Sequence, residues 1–330
     1  MTIYDIAKEA NVAASTVSRV INNKPGISPK TREKVECILE KYNFIPDAAA
    51  RGLVMQSTKI VGILIEDIRV SHHTNSAYVI EQELTKQGYC CITMNTGVDS
   101  KNKAKHIRLL EERRVEGVVL MGSMFATEEV KESVIKYLKN VPIVIVNGYL
   151  DLPNVSGVVM DEAGGVKEAV HCLWNKGKHK IAFLLDSHSP ANYRKRDGYC
   201  KGMRAVGATE EDLLIYEAKE STWQGGYDST VLMLQENPDL QGIIYTIDLV
   251  ATSGVRAAVD RGLSIPKDIA IVGIDNSAYG QICIPQLTTV DSKAEDVSRI
   301  AAQILVENLM GSMESKCIEM SAELVERETT

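Results

Sequence analysis

The spacing of apolar residues changes near residue 60. Before that point they recur at three- and four-residue intervals, as in Ile3, Ile6, Ala7 and Ala10, which predicts amphipathic helices. After it, short apolar runs of strand length alternate with helix-like stretches. The pattern therefore predicts a small helical unit followed by a larger α/β unit.

The residue pattern of the first unit predicts a helix-turn-helix. Thr2 is a suitable N-cap for the first helix, and Asp5, three residues later, completes a variant of the capping box. After a turn at Asn11–Ala13, a second helix directs Val17 and Val20 inward. In such a pair the second helix enters the DNA major groove.

The outward face of the second helix carries Ala14, Ser15, Ser18 and Arg19. We expect Arg19 to reach a guanine edge or a phosphate. A lone arginine is more commonly a solvated surface residue, but the surrounding pattern favours contact with DNA.

Two further helices are predicted before residue 60. Ser28-Pro29 provides an N-cap and a first-turn proline for a third helix. The alanine-rich stretch 46–53 predicts a short helix that is marginal on its own, because it is brief and contains Gly52. Such a helix can order on DNA, where Leu53 could wedge into a minor-groove base step. The usual alternative for a leucine is a place in the core.

The residue pattern of the larger unit predicts parallel sheets covered by helices. Amphipathic stretches such as 77–87 and 131–139 separate its apolar runs. Those runs span residues 60–65, 89–94, 117–121, 142–146, 181–185, 242–246 and 269–274. So many strands predict two doubly wound lobes, in which ligands sit beyond the carboxyl ends of the strands.

Composition is consistent with a globular protein of two or three compact units. Of 330 residues, 45% are apolar and 25% are charged, and no apolar run is long enough to span a membrane. Asp5, Lys8 and Glu9 stand where a secretory signal would be basic and then apolar, so we expect a cytoplasmic protein. The seven cysteines lack C-x-x-C spacing, which predicts mostly buried, reduced thiols without a metal or disulfide framework.

Charge is unevenly distributed. The net charge is −7, yet residues 1–60 carry nine Lys and Arg against six Asp and Glu. A basic head on an acidic body favours a polyanion at one end. By itself this small excess is equally consistent with chance.

Residues 2–58 closely resemble the DNA-binding head of the lactose/galactose (LacI/GalR) repressor family of bacterial transcription regulators. The resemblance is carried by T-V-S-R-V-I-N at 16–22, S-P-K-T-R-E-K-V at 28–35 and A-R-G-L at 50–53. It extends into the larger unit through V-G-I-L-I at 61–65, R-D-G-Y at 196–199, D-I-A-I-V-G-I-D-N at 268–276, P-Q-L-T-T-V at 285–290 and L-V-E-R-E-T-T at 324–330.

The resemblance implies a homodimer on a pseudo-palindromic operator, with Leu53 and its dimer mate intercalating. Ala13 departs from the family, which usually has a capping serine there. Ala14 and Ser15 match the main base readers, and their short side chains limit readout to close contacts. The DNA-contacting set expected from the resemblance and the helix pattern is Thr2, Tyr4, Ala14, Ser15, Thr16, Ser18, Arg19, Asn22, Ala50 and Leu53.

The resemblance also implies an effector domain built like a periplasmic sugar-binding protein. Arg196 resembles an arginine that binds effector hydroxyls or carboxylates, and Asp275 resembles an acceptor for ligand hydroxyls. Many members have an Asn-Pro-aromatic run where this chain has His72-His73. These histidines are either groups that line the pocket or exposed loop residues. The expected effector contacts are His72, His73, Asn147, Asn192, Arg196, Trp223, Asp248 and Asp275.

These observations give a domain plan. We expect a helix-turn-helix head at 1–46, a hinge helix and linker at 47–59, and an effector and dimerisation domain at 60–330. Its first lobe should span about 60–159 plus 289–310, and its second about 160–288 plus 311–330.

The leading hypothesis is a repressor of a carbohydrate-utilisation operon, with operator DNA, a sugar or related metabolite, and a second copy of the chain as partners. Neither a cofactor nor a metal is expected, and inducer and corepressor action stay open. A plain sugar-binding module would explain the body but not the head. An α/β enzyme would need G-x-S-x-G, a phosphate-cradling loop or a zinc motif, none of which the sequence contains.

Overall fold

The computed structural model describes residues 1–44, 57–312 and 314–330. The chain divides into two compact units, Met1–Lys59 and Ile60–Thr330. The short helix predicted around Ala50 and Leu53 lies outside the described residues.

The head contains the predicted helix-turn-helix. Its helices are α1 (Ile3–Ala10), α2 (Ala14–Ile21) and α3 (Pro29–Lys41). The Thr2 hydroxyl accepts from the Asp5 N–H, and the Asp5 carboxylate accepts from the Thr2 N–H at 2.7 Å, so the capping box forms. The N-cap of α2 is Ala13, which supplies no side-chain hydrogen bond to the helix.

A small apolar core holds the three helices of the head together. Ile6, Val17 and Val35 are completely buried at its centre. Each comes from a different helix, so burial fixes the angle at which α2 presents its outer face.

The first sheet of the body consists of six parallel strands. They are β1 (Ile60–Ile65), β2 (Cys90–Asn95), β3 (Gly117–Met121), β4 (Ile143–Val146), β5 (Val155–Asp161) and β11 (Cys317–Ser321), in the order β11-β5-β4-β3-β1-β2. Its helices are α4 (Ser71–Lys86), α5 (Ser100–Glu112), α6 (Glu128–Tyr137) and α12 (Ala294–Glu307).

The second sheet repeats this plan. Its strands are β6 (Ile181–Leu185), β7 (Leu214–Glu217), β8 (Gly242–Tyr245), β9 (Ala270–Ile274), β10 (Thr288–Asp291) and the antiparallel β12 (Glu323–Val325), in the order β12-β10-β9-β8-β6-β7. Its helices are α7 (Glu162–Asn175), α8 (Pro190–Ala205), α9 (Trp223–Glu236), α10 (Asp248–Asp260) and α11 (Ala278–Ile282).

Apolar side chains cover both faces of each sheet, which explains why the central strands are continuous apolar runs. The predicted fold class, a helical head with two doubly wound lobes, is confirmed.

The chain crosses between the lobes at different places from those expected. The strand Thr288–Asp291 belongs to the second sheet, whereas 289 was expected to begin the return to the first lobe. The strand Cys317–Ser321 belongs to the first sheet, although 311–330 was assigned to the second lobe. Both strands are short, and 317–321 alternates exposed and half-buried residues at a sheet edge, so neither shows a continuous apolar run.

The expectation that most cysteines are buried was wrong. All seven are free thiols, and Cys37, Cys90 and Cys317 are exposed while the other four are half-buried. Cys90 and Cys317 lie on the two edge strands of the first sheet, where side chains are only partly covered. Across residues 1–44, 57–312 and 314–330, no helix combines the length and apolarity that a membrane span requires.

Candidate functional site

A cavity of about 590 Å³ lies in the body, where strands of both sheets end. Glu66 follows β1, Gly122 follows β3 and Asn147 follows β4; Asp186 follows β6 and Asp275 follows β9. This is the position predicted for a ligand site in doubly wound sheets.

Six of the eight expected effector contacts line this cavity. They are His72, His73, Asn147, Asn192, Trp223 and Asp275. The two histidines lie on the first turn of α4, so they are helical and not part of an open loop. The contacts that these side chains make with a ligand remain predictions.

Arg196 does not line the cavity, contrary to expectation. Its side chain is 40% exposed and stacks over the Tyr193 ring at 5.1 Å, within 3.9 Å of Asp197. The neighbouring Lys195 is buried and lines the cavity instead. Successive residues of a helix point about 100° apart, so a shift of one position exchanges an inward side chain for an outward one.

Asp248 is also absent from the cavity wall. It is buried at the start of α10, where its carboxylate accepts hydrogen bonds from Ser277 N–H at 2.6 Å, Ser277 Oγ at 2.9 Å and Thr289 Oγ1 at 2.6 Å. Ser277 lies two residues after Asp275, so Asp248 holds the backbone that follows Asp275.

A charge cluster that was not predicted forms one wall. Arg194 Nη2 donates to Glu162 Oε2 at 2.9 Å and to Asn147 Oδ1 at 3.0 Å, and Asn147 Nδ2 donates to Glu162 Oε1 at 3.0 Å. Lys195 Nζ lies 3.7 Å from Glu162 and donates to the Thr246 carbonyl at 2.9 Å. Glu162 follows β5, a strand absent from the predicted set, so its strand-end position could not be inferred.

Asp186 organises a second wall. Its carboxylate accepts from Asn192 Nδ2 at 2.9 Å and from the hydroxyls of Ser221 and Thr246. These partners come from three different segments, so the carboxylate ties them together. A sequence signal for Asp186 was present, because it directly follows a predicted strand.

Asp275 differs from Glu162 and Asp186 because its carboxylate has no hydrogen-bond donor among the described residues. Its backbone has a φ of 114°, and the nearest titratable group is His72, with Nδ1 3.7 Å from Asp275 Oδ2. Burial raises the pKa of Asp275 to about 7, with Glu162 and Asp186 adding to the rise and Lys195 opposing it.

The two histidines of the cavity are neutral near pH 7. Burial lowers the pKa of His72 to about 4, assisted by Lys195, and lowers that of His73 to about 3, assisted by His72. Their rings meet edge to face with centroids 4.2 Å apart. They can therefore exchange hydrogen bonds with a ligand but bring no positive charge.

The head places the expected DNA contacts along two helices. Thr2 and Tyr4 lie at the start of α1, and Tyr4 is 74% exposed. Ser15 and Arg19 are exposed on α2. The remaining described members, Ala14, Thr16, Ser18 and Asn22, are half-buried on or next to α2.

Comparison with known proteins places both units in context. A family profile described as "Bacterial regulatory proteins, lacI family" matches residues 2–47, and one described as "Periplasmic binding protein-like domain" matches 170–330. A protein named "HTH-type transcriptional regulator" from Lachnoclostridium phytofermentans is 30% identical over 100% of this chain and 99% of its own length.

Two further relatives agree. A "Ribose operon repressor" from Halalkalibacterium halodurans is 28% identical over 100% of this chain and 97% of its own length. A crystal structure of the Lac repressor dimer bound to operator and the anti-inducer ONPF superposes with a TM-score of 0.89, at 22% identity, over 100% of this chain and 99% of that one. Together, the helix-turn-helix head, the two-lobed body and these matches show that the chain belongs to the LacI family of bacterial transcriptional regulators.

Proposed function

We propose that this protein is a repressor of a carbohydrate-utilisation operon that binds a pseudo-palindromic operator as a homodimer under the control of a small sugar-like effector. The observation that carries the proposal is the combination, in one chain, of an exposed recognition helix with a polar cavity at the strand ends of a two-lobed body. The related ribose operon repressor and the Lac repressor dimer support the same assignment.

The head supplies the DNA-binding function. On the outer face of α2, Arg19 is the long cationic side chain, and its short neighbours allow the helix backbone to approach the base edges. Leu53 is proposed as the minor-groove wedge on sequence grounds. Leu53→Ala should then reduce both operator affinity and DNA bending, and unchanged values of both would refute the wedge.

The body supplies effector control. Side-chain acceptors and donors surround the cavity, including Asp275, Asn147 and a series of serines, which suits a ligand rich in hydroxyl groups. Trp223 is 61% exposed at its edge and offers an apolar face for a sugar ring. Effector binding alters operator affinity if the two functional states bind the effector with different affinities.

The deciding experiment selects binding sites from a random duplex library with the full-length protein, followed by fluorescence anisotropy on the enriched site. The expected result is a palindromic site with strongly salt-dependent affinity that changes when a sugar is added. No enrichment of any palindrome over random duplex, with or without sugars, would refute the proposal.

A further inference from the structure

The electrostatics of the cavity bear on the kind of effector it accepts. Five acidic residues of the described chain line it, Glu66, Asp67, Glu162, Asp186 and Asp275, together with one arginine, Arg69, and one lysine, Lys195. The histidines that line it are neutral, so they do not offset this excess.

Both basic residues already have partners within the protein. Arg69 is engaged by Asp67, with Nη2 and Oδ2 2.7 Å apart, and its side chain is 87% exposed and therefore directed largely to solvent. Lys195 is only 5% exposed, and its ammonium group is shared between the Thr246 carbonyl and Glu162.

The acidic groups differ in how far they are already satisfied. Glu66 pairs with the buried Lys103 at 3.3 Å, Glu162 pairs with Arg194, and Asp186 accepts from three side chains. Asp275 alone among these carboxylates has no hydrogen-bond donor in the described chain. It is 14% exposed, and it therefore presents an unused acceptor to whatever occupies the cavity.

Three helix N-termini at the cavity, those of α8, α9 and α10, already face groups of the protein. The first turns of α8 and α9 are capped by Ser189 and Thr222, each at 3.1 Å from the backbone N–H it accepts from. The N–H of Ala191 on α8 is used by Ser123 Oγ at 3.1 Å. At α10 the first residue is Asp248, whose own carboxylate opposes the positive helix end. The N-caps of α4 and α12, Val70 and Lys293, give their helices no side-chain hydrogen bond.

We propose that the effector is an uncharged or amine-bearing polyol, and that Asp275 excludes phosphorylated and carboxylated sugars from the cavity. This inference rests on the proposed function, because it names the chemical class of its effector. Because the pKa of Asp275 is about 7, its carboxylate is largely ionised at pH 8. A hydroxyl or ammonium group then donates to it, whereas a phosphate or carboxylate meets a like charge.

The test uses matched sets of probes with the full-length protein. The sets are glucose, glucose 6-phosphate, gluconate and glucosamine; ribose and ribose 5-phosphate; and galactose, galactose 6-phosphate and galactosamine. Thermal shift identifies binders, since a ligand of the folded state raises the melting temperature, and calorimetry measures their affinities. At pH 8 the expected result is that each phosphate or acid binds at least about tenfold more weakly than its own neutral parent.

The variant Asp275→Asn keeps the side-chain size and tolerates the positive φ. It should weaken the neutral parent at least about tenfold and reduce the disadvantage of the anionic counterpart. Asp228→Asn, an exposed residue of the same lobe outside the cavity, is the matched control and should change neither value. Circular dichroism and operator binding verify that each variant is folded.

The outcomes separate the two claims. If a phosphorylated or carboxylated sugar binds as tightly as its parent and alters operator affinity, the proposed function stands and the inference about charge fails. An unchanged preference for the neutral parent in Asp275→Asn would overturn the assignment of that residue. If no probe binds or alters operator affinity, sugar control itself fails, and this inference fails with it.

Discussion

The close packing of α7 against α8 leads to a graded prediction. At Gly198 an added Cβ would lie 2.3 Å from the Ala163 carbonyl oxygen and 2.7 Å from the Ala163 Cα, both backbone atoms that cannot rotate away. One turn later, at Gly202, the nearest atom would be the Val170 Cβ at 3.0 Å. Gly198→Ala should therefore be much more damaging than Gly202→Ala.

The magnitudes follow from two opposing effects. Replacing glycine by alanine inside a helix stabilises it by about 1 kcal/mol. Overpacking costs about 1–3 kcal/mol, and the contact with backbone at Gly198 belongs at the upper end while that at Gly202 belongs at the lower end. We expect Gly198→Ala to lose about 2 kcal/mol of unfolding free energy, and Gly202→Ala to change it by less than about 1 kcal/mol.

The assay is urea denaturation of both variants, monitored by circular dichroism, together with calorimetry of any effector found. Because α8 carries Asn192 and Lys195 into the cavity, Gly198→Ala should also weaken effector binding more than Gly202→Ala does. Equal stability of the two variants would refute the reasoning, since it would mean that the helices separate without cost.

Three further predictions concern the head and the buried acids. Ala13→Ser supplies the missing N-cap of α2 and should stabilise the head by about 1 kcal/mol in thermal unfolding, and no gain would argue against a capping deficit. Arg19→Met should weaken operator binding and lower the slope of log affinity against log salt by about 1, whereas Arg108→Met, on the body, should leave both unchanged. Burial raises the pKa of Asp248 to about 7 from 3.8, so its contribution to stability is present below pH 3.8 and is lost as the pH rises through 7. The cavity histidines are present in both proteins and cancel in a comparison with Asp248→Asn. Between pH 5 and 8 the wild-type unfolding free energy should therefore fall relative to that of Asp248→Asn, and a constant difference across that range would contradict this.

The sequence predicted elements whose signal is local. The head helices and the central strands, such as Ile60–Ile65 and Gly117–Met121, are correct because their apolar spacing or continuous burial is written directly in the residues. The strands Leu214–Glu217 and Cys317–Ser321 were missed because edge strands are only partly buried and lack a continuous apolar run.

The position of the cavity could be predicted from the sequence, but the residues that line it could be predicted only in part. Strand ends located Asn147 and Asp275, because the end of an apolar run can be read from the sequence. The choice between Lys195 and Arg196 depends on how α8 is rotated, which tertiary packing at Gly198 decides. Likewise, the neighbouring sequence does not show that Asp275 lines the cavity, whereas Asp248 is buried behind it and hydrogen-bonds Ser277.

The connections between the lobes have a mechanical consequence. In the described chain they pass from Asp161 to Glu162, from Asp291 to Ala294, and through Ala322 between β11 and β12. If a protease cuts one of these connections, the two lobes stay joined by the other two. Cleavage should therefore give two fragments on a denaturing gel but leave the native molecule in one piece. Three short connections also restrict sliding of one lobe past the other more than they restrict rotation. Relative motion of the two lobes should therefore be a rotation about an axis through these connections.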